Sequence, residues 1–176
     1  ACPLNLAPTA STTAALALGD ALAVALMQAR GFSDRDFASS HPGGKLGGSL
    51  TLVRDAMRTG DRLPHVPQSA SVADAVDEMS RSRMGITAVL DESGRVAGIF
   101  TDGDLRRTIG RVTDFHGTPI TQLMTRNPRT IEPDRLAVEA LQLMESHKVN
   151  QVLVVDQAQR LVGALNMHDL FRAKVI

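Results

Sequence analysis

One pattern of residues occurs twice at a constant offset of 65 positions: Ala75, Met79, Asp91, Gly98 and Asp104 are matched by Ala140, Met144, Asp156, Gly163 and Asp169. Five identities in one register, set in similar apolar runs, require two copies of one structural unit. Each copy reads locally in the same order. Val72, Ala75, Val76 and Met79 fall at helical spacing, and Leu136, Ala140, Leu141, Leu143 and Met144 repeat that stripe. After each helix comes a β-rich run (86–90 or 151–155), a polar break (91–94 or 156–159) and a second run (96–100 or 161–165), which together read as a hairpin. A further helix is expected from Asp102 and from Met167, and a first strand near Val66 and near Thr130 to Ile131. Pro64, Pro67, Pro128 and Pro133 punctuate the entries, where proline fixes the approach of the chain without breaking a ladder.

The repeated order of Asp55-Ala-Met57 and Gln122-Leu-Met124-Thr125, then helix, then hairpin, then Gly98-Ile-Phe-Thr101-Asp-Gly-Asp104 and Gly163-Ala-Leu-Asn166-Met-His-Asp169, resembles a tandem of cystathionine-β-synthase-type (CBS) domains. The resemblance runs over residues 51–176, with copies at 51–112 and 113–176. It implies an α/β (α+β) fold, a pair of units related by a pseudo-twofold axis, with clefts between them that bind adenosine or other nucleotides.

Thr101 and Asp104 admit two compatible readings. A hydroxyl at a strand end followed three residues later by a carboxylate makes a capping box, which needs no ligand. A helix start also exposes free amide N–H groups, and a carboxylate at that edge can accept both hydroxyls of a ribose. By resemblance, Thr101 faces phosphate and Asp104 faces ribose. In the second copy Asn166 replaces the threonine and Asp169 is retained, so the two clefts are expected to differ in ligand preference. Lys148, Arg83, Arg106, Arg107 and His168 are lesser candidates, since most surface cations are simply solvated. The chain has no Trp and no Tyr and its five Phe are scattered, so a base would stack on aliphatic side chains, which argues against single-stranded nucleic acid as the ligand.

Bulk properties point the same way. Nineteen basic and 19 acidic side chains cancel, leaving no field to attract nucleic acid or an anionic membrane. A single Cys2 forms no internal disulfide, and a reducing, cytoplasmic setting is expected. No cluster with metal-ligand spacing stands out. The run Ala14 to Met27 is the most apolar stretch, but its 14 residues fall short of the about 20 needed to cross a bilayer, so it is expected to be a buried helix. Ser11, Thr12 and Thr13 offer N-cap hydroxyls to it, and Arg30 with Gly31 is a natural stop. Apolar residues on all faces require packing on more than one side, and residues 1–50 supply no partner of adequate size. They therefore read as the tail and linker of a larger domain, with a hinge at the glycine-rich stretch 41–48.

Cys2-Pro-Leu-Asn-Leu-Ala-Pro-Thr-Ala-Ser-Thr-Thr13, Leu18-Gly-Asp20-Ala-Leu-Ala23 and Ser40-His-Pro-Gly-Gly44-Lys-Leu-Gly47, followed at once by a CBS pair, closely resemble the arabinose 5-phosphate isomerases. That family places a sugar isomerase (SIS) α/β sandwich before the CBS pair. It implies interconversion of ribulose 5-phosphate and arabinose 5-phosphate, on the way to the acid sugar Kdo of lipopolysaccharide. Such an aldose–ketose exchange moves a proton between adjacent carbons through an enediol and needs a general base. The Ser-His-Pro-Gly-Gly pattern places the family's catalytic histidine at His41, and an imidazole titrates in the right range. Thr12 and Thr13 could contact substrate phosphate, although capping already accounts for them.

No cofactor is required by this reading. The CBS clefts would take a regulatory nucleotide, either AMP or ATP or the cytidylyl-activated Kdo. The pair would form a homodimer and the whole enzyme a homotetramer. A structural dimerisation role without ligand, and an adenine-nucleotide energy sensor, are the alternatives. One histidine cannot assemble an enediol site, because such sites depend on several groups positioned together. Conversion of arabinose 5-phosphate by the 176-residue chain should therefore not exceed that of a His41→Ala control, as measured by coupled assay of ribulose 5-phosphate.

Overall fold

The computed structural model describes residues 6–33, 36–37 and 50–175. The chain divides into two units, residues 1–41 and 42–176. The glycine-rich stretch 41–48, apart from any hinge role, lies outside the described residues.

The first unit holds helix α1 (Thr9–Ala29). It starts earlier than the hydroxyl run suggests. Pro8 stands at the N-cap, and the Thr12 and Thr13 hydroxyls donate back to the Pro8 and Thr9 carbonyls from inside the first turn, so neither is a cap. The stop is as expected: the Arg30 amide donates to the Leu26 carbonyl at 3.0 Å, and Gly31 turns away at φ +63°. The burial expected of it needs a partner that residues 1–50 do not supply. None of the helix is buried, and Leu16, Leu18, Leu22, Val24 and Leu26 lie exposed, because among the described residues of this unit no second layer covers them. The flanking threonines and alanines also extend it to 21 residues, which by length and composition alone would suit a bilayer. A core helix of a soluble domain meets the same criteria.

The second unit carries the duplication. The first copy runs β1 (His65–Pro67), α3 (Val72–Ser82), β2 (Ile86–Leu90), β3 (Val96–Thr101) and α4 (Asp102–Thr108), preceded by the single turn α2 (Val53–Ala56). The second copy runs β4 (Thr125–Arg126), β5 (Thr130–Ile131), α5 (Ala137–His147), β6 (Gln151–Val155), β7 (Leu161–Asn166) and α6 (Met167–Arg172). β1 pairs parallel with β2 and β5 with β6, β2 and β6 pair antiparallel with β3 and β7, and both hairpins slip register near the turn, at Val89/Leu90 and at Val154/Val155.

Alternation along the strands builds three cores. Val89 and Phe100 pack under α3, and Val152, Val154 and Leu165 pack under α5. The opposite faces, Ile86 and Ala88 with Leu153 and Ala164, meet each other and join the copies. Strands covered on both faces must read as continuous apolar runs, which these do. Thr87 is the polar exception, and its buried hydroxyl donates to the Ala75 carbonyl at 3.1 Å.

The repeated residues each have a structural task. Ala75 and Ala140, with Met79 and Met144, are the buried stripes of α3 and α5. Asp91 Oδ1 accepts from the Ser93 amide and hydroxyl and from the Arg95 amide at 2.8–2.9 Å, closing the first hairpin turn. Asp156 does the same for Ala158 and Arg160. The Ser93 hydroxyl and the Arg95 amide hold the Asp91 carboxyl below its ordinary value, and the Arg160 amide does so for Asp156.

Gly98 and Gly163 mark an exchange between the copies. The segment before the first copy packs on the second: Val53 and Met57 join the core under α5, and the Val53 amide donates to the Arg135 carbonyl at 2.9 Å. The segment before the second copy packs on the first: Ile120 and Met124 join the core under α3, and β4 pairs with β3 at Gly98. Each exchanged methionine lies over the other copy's glycine. A Cβ on Gly98 would sit 2.9 Å from Met124 Cγ and 3.0 Å from the Thr125 carbonyl oxygen, and one on Gly163 would sit 3.0 Å from Met57 Cγ. Gly98→Ala should therefore cost about 1–3 kcal/mol through overpacking. Met124→Ala in the same chain should recover part of that loss, and Met57→Ala should do the same for Gly163→Ala, as read from urea denaturation midpoints.

Candidate functional site

At the end of β3 the chain turns from strand to helix at Thr101, and the Thr101 side chain takes up the capping role that its spacing to Asp104 allows. The Thr101 amide and hydroxyl donate to Asp104 Oδ2 at 2.9 and 2.7 Å, and the Asp104 amide donates to the Thr101 hydroxyl at 3.1 Å. The other carboxylate oxygen, Oδ1, accepts from Arg107 at 2.6 Å and from the Thr125 hydroxyl at 3.2 Å. Asp104 is thus buried and satisfied at both oxygens.

Thr101 and Asp104 open onto one cleft of about 250 Å³. Its apolar walls are Ile86 and Ile99 of the first copy, Val149 of the second, and Pro128 between them; Arg107, Thr125, Arg129 and Gln151 supply polar groups. The walls are aliphatic, with no Phe among them. Thr125 and Arg129 reach the cleft because the exchanged segment carries them there, a placement no local pattern in the sequence announces.

The related end of β7 is built alike up to a point. The Asn166 amide donates to Asp169 Oδ2 at 3.1 Å, and the Asp169 amide donates to Asn166 Oδ1 at 3.0 Å. Asp169 then accepts from Arg58 Nε at 3.1 Å on both oxygens. The structure does not bring Asn166 and Asp169 onto one cavity. Asn166 lines a groove of about 470 Å³ together with Arg83, Gly85, Asp102 and His168, whereas Asp169 lines a separate one of about 300 Å³ with Arg58, Arg62 and Arg172.

The lesser candidates divide. Arg107 stands in the first cleft and His168 in the larger groove. Arg83 and Lys148 are matched C-cap residues of α3 and α5 at φ 52° and 53°, a left-handed position where a cation also complements the helix end. Arg106 belongs to the last turn of α4. His41 lies outside the described residues. Among the described residues, no group of three or more His, Cys, Asp or Glu side chains could hold a metal.

Two duplicated β-α-β-β-α units with their sheets face to face and a cleft at each strand-to-helix junction define a class, and the family model for the CBS domain matches residues 53–111 and 120–176. The chain belongs to the CBS-domain family. A crystal structure of an uncharacterised conserved protein from Pyrococcus horikoshii superposes with a TM-score of 0.62 at 28% identity, covering 72% of this chain and 93% of that one. CBSX2 in complex with AMP superposes with a TM-score of 0.60 at 25% identity, covering 71% and 96%. Along its whole length the chain is 55% identical to the arabinose 5-phosphate isomerase KdsD of Pseudomonas aeruginosa, of which it covers 54%. The chain spans about half the length of the curated relatives it matches.

Both caps should matter for stability whatever else they do. Asp104→Ala should cost about 1–2 kcal/mol, the usual worth of an N-terminal cap. Asp169→Ala should cost more, because it also leaves the part-buried Arg58 guanidinium without its carboxylate. Chemical denaturation of the two variants side by side tests the order.

Proposed function

We propose that the Thr101–Asp104 cleft takes a nucleotide, and that the CBS pair thereby regulates an arabinose 5-phosphate isomerase whose SIS domain includes residues 1–50. The observation that carries this reading is a single cleft in which a satisfied carboxylate, aliphatic walls and two arginines converge. The KdsD relatives supply the enzyme and the AMP-bound neighbour supplies the ligand class.

The chemistry follows from the present bonds. Ribose hydroxyls would donate to Asp104 Oδ1 in place of Arg107, whose side chain is 66% exposed, so that its ion pair is of the weak, readily exchanged kind. The released guanidinium, with Arg129, would meet phosphate. The base would lie between Ile86, Ile99 and Val149, and the Gln151 amide offers both a donor and an acceptor to its edge. In the whole enzyme His41 would shuttle the proton between the sugar carbons, with further groups from the rest of the SIS domain.

Calorimetric titration of the chain with AMP, ATP, CMP and cytidylyl-Kdo tests the proposal. Saturable binding by at least one of them is expected. It should be lost in Asp104→Ala and in Val149→Trp, which fills the cleft without touching the cap and should melt as the parent does. No binding by any of the four would leave the pair a structural role, holding isomerase domains together.

A further inference from the structure

Met57 over Gly163 and Met124 over Gly98 fix the correspondence of the exchanged segments, so the residue after each methionine occupies the same place in the two halves. That residue is Thr125 on one side and Arg58 on the other. Thr125 reaches only as far as Asp104, at 3.2 Å, and leaves the cleft open in front of it. Arg58 crosses the corresponding space. Its Nε donates to both oxygens of Asp169 at 3.1 Å, and its Nη1 donates at 3.3 Å to the carbonyl of Ser82, in the last turn of α3 in the first copy.

We infer that Arg58 is a built-in plug, so that the chain binds nucleotide in the Thr101–Asp104 cleft alone, because in the Asn166–Asp169 cleft the protein's own guanidinium already occupies the carboxylate. Thr101 and Asp104 share one cavity in the first half, whereas their counterparts Asn166 and Asp169 are divided between two in the second, with Arg58 beside Asp169. Exchange for a ligand is also disfavoured there. The Arg58 side chain is 18% exposed and that of Asp169 is 6% exposed, against 66% for Arg107 in the open cleft. A ribose hydroxyl entering at Asp169 would displace a charge-assisted bond and strand a part-buried cation. At Asp104 it displaces only a solvated one.

This inference rests on the nucleotide reading of the first cleft, and a reciprocal exchange of the two residues separates them. With AMP, ATP, CMP and cytidylyl-Kdo tried in turn as the probe and the full chain in equilibrium dialysis, the parent should bind at least one of them, at one nucleotide per chain. Arg58→Thr should bind two, the second being lost in Arg58→Thr/Asp169→Ala, and Thr125→Arg should bind none. Two nucleotides on the parent, one still on Arg58→Thr, or unimpaired binding to Thr125→Arg would each overturn the plug. No binding to the parent together with one site gained in Arg58→Thr would overturn the reading of the first cleft and leave the plug standing. No binding to either would overturn both. Should Arg58→Thr fail to melt cooperatively, the parent stoichiometry and Thr125→Arg, which changes an exposed strand residue, decide alone.

Discussion

Met124 lies over Gly98 and Met57 over Gly163, and because each methionine arrives from the segment that precedes the other copy, neither hydrophobic core is complete without the other. The exchange also aligns the backbone. The Ile120 and Val72 amides bond the Ala70 and Thr118 carbonyls at 2.9 Å, and the Ala137 amide bonds the Thr51 carbonyl at 2.7 Å. One wall of each junction depends on this, since Thr125 and Arg129 enter one and Arg58 and Arg62 the other only on exchanged chain.

The two copies are alike in what holds their fold and unlike in finer detail. Ser71 caps α3 with a full reciprocal box to Asp74, whereas Leu136 at the same place has no acceptor, and α5 keeps only the Glu139 carboxylate on the Leu136 amide at 3.3 Å. The hairpin turn that Gly94 makes at φ 77° is made in the second copy by Gln159 at φ 62°, a conformation a side chain adopts at some cost. Buried stripes, turn aspartates and packing glycines leave no room for such drift. The junction residues have more room, and there the copies differ most in chemistry: Thr101 against Asn166, and Thr125 against Arg58.

Much of this was legible in the sequence because the repeat marks positions under the same physical demand twice. The runs 86–90 and 151–155 are strands over those residues, because a strand buried on both faces reads as a nearly continuous apolar run between polar breaks. Asp104 and Asp169 sit three residues after a capping side chain, and spacing alone suffices for that geometry. The exchange was not legible. Met57 and Met124 are 67 positions apart rather than 65, so they fall out of the repeat's register, and nothing local tells a chain segment which of two similar cores it will join. Arg58 was missed for the same reason, since its partner Asp169 is 111 residues away. Helix α1 was legible but its start was not, because the hydroxyls at 11–13 read as caps while the helix already begins at Thr9.

Ile86 and Ile99 belong at once to the wall of the open cleft and to the cluster that joins the two sheets. An occupant of that cleft touches Val149 and Gln151 of the second copy from the other side, so its binding free energy includes how the copies pack against each other. Linkage then runs both ways: whatever alters that packing alters affinity by the same factor that binding alters the packing. The Arg58 bridge between Asp169 and the Ser82 carbonyl already ties the copies together at the other junction, with the chain's own atoms in place of a ligand. The two junctions therefore differ in what bridges the copies: the chain's own guanidinium at Asp169, and at Asp104 a cleft walled by both copies.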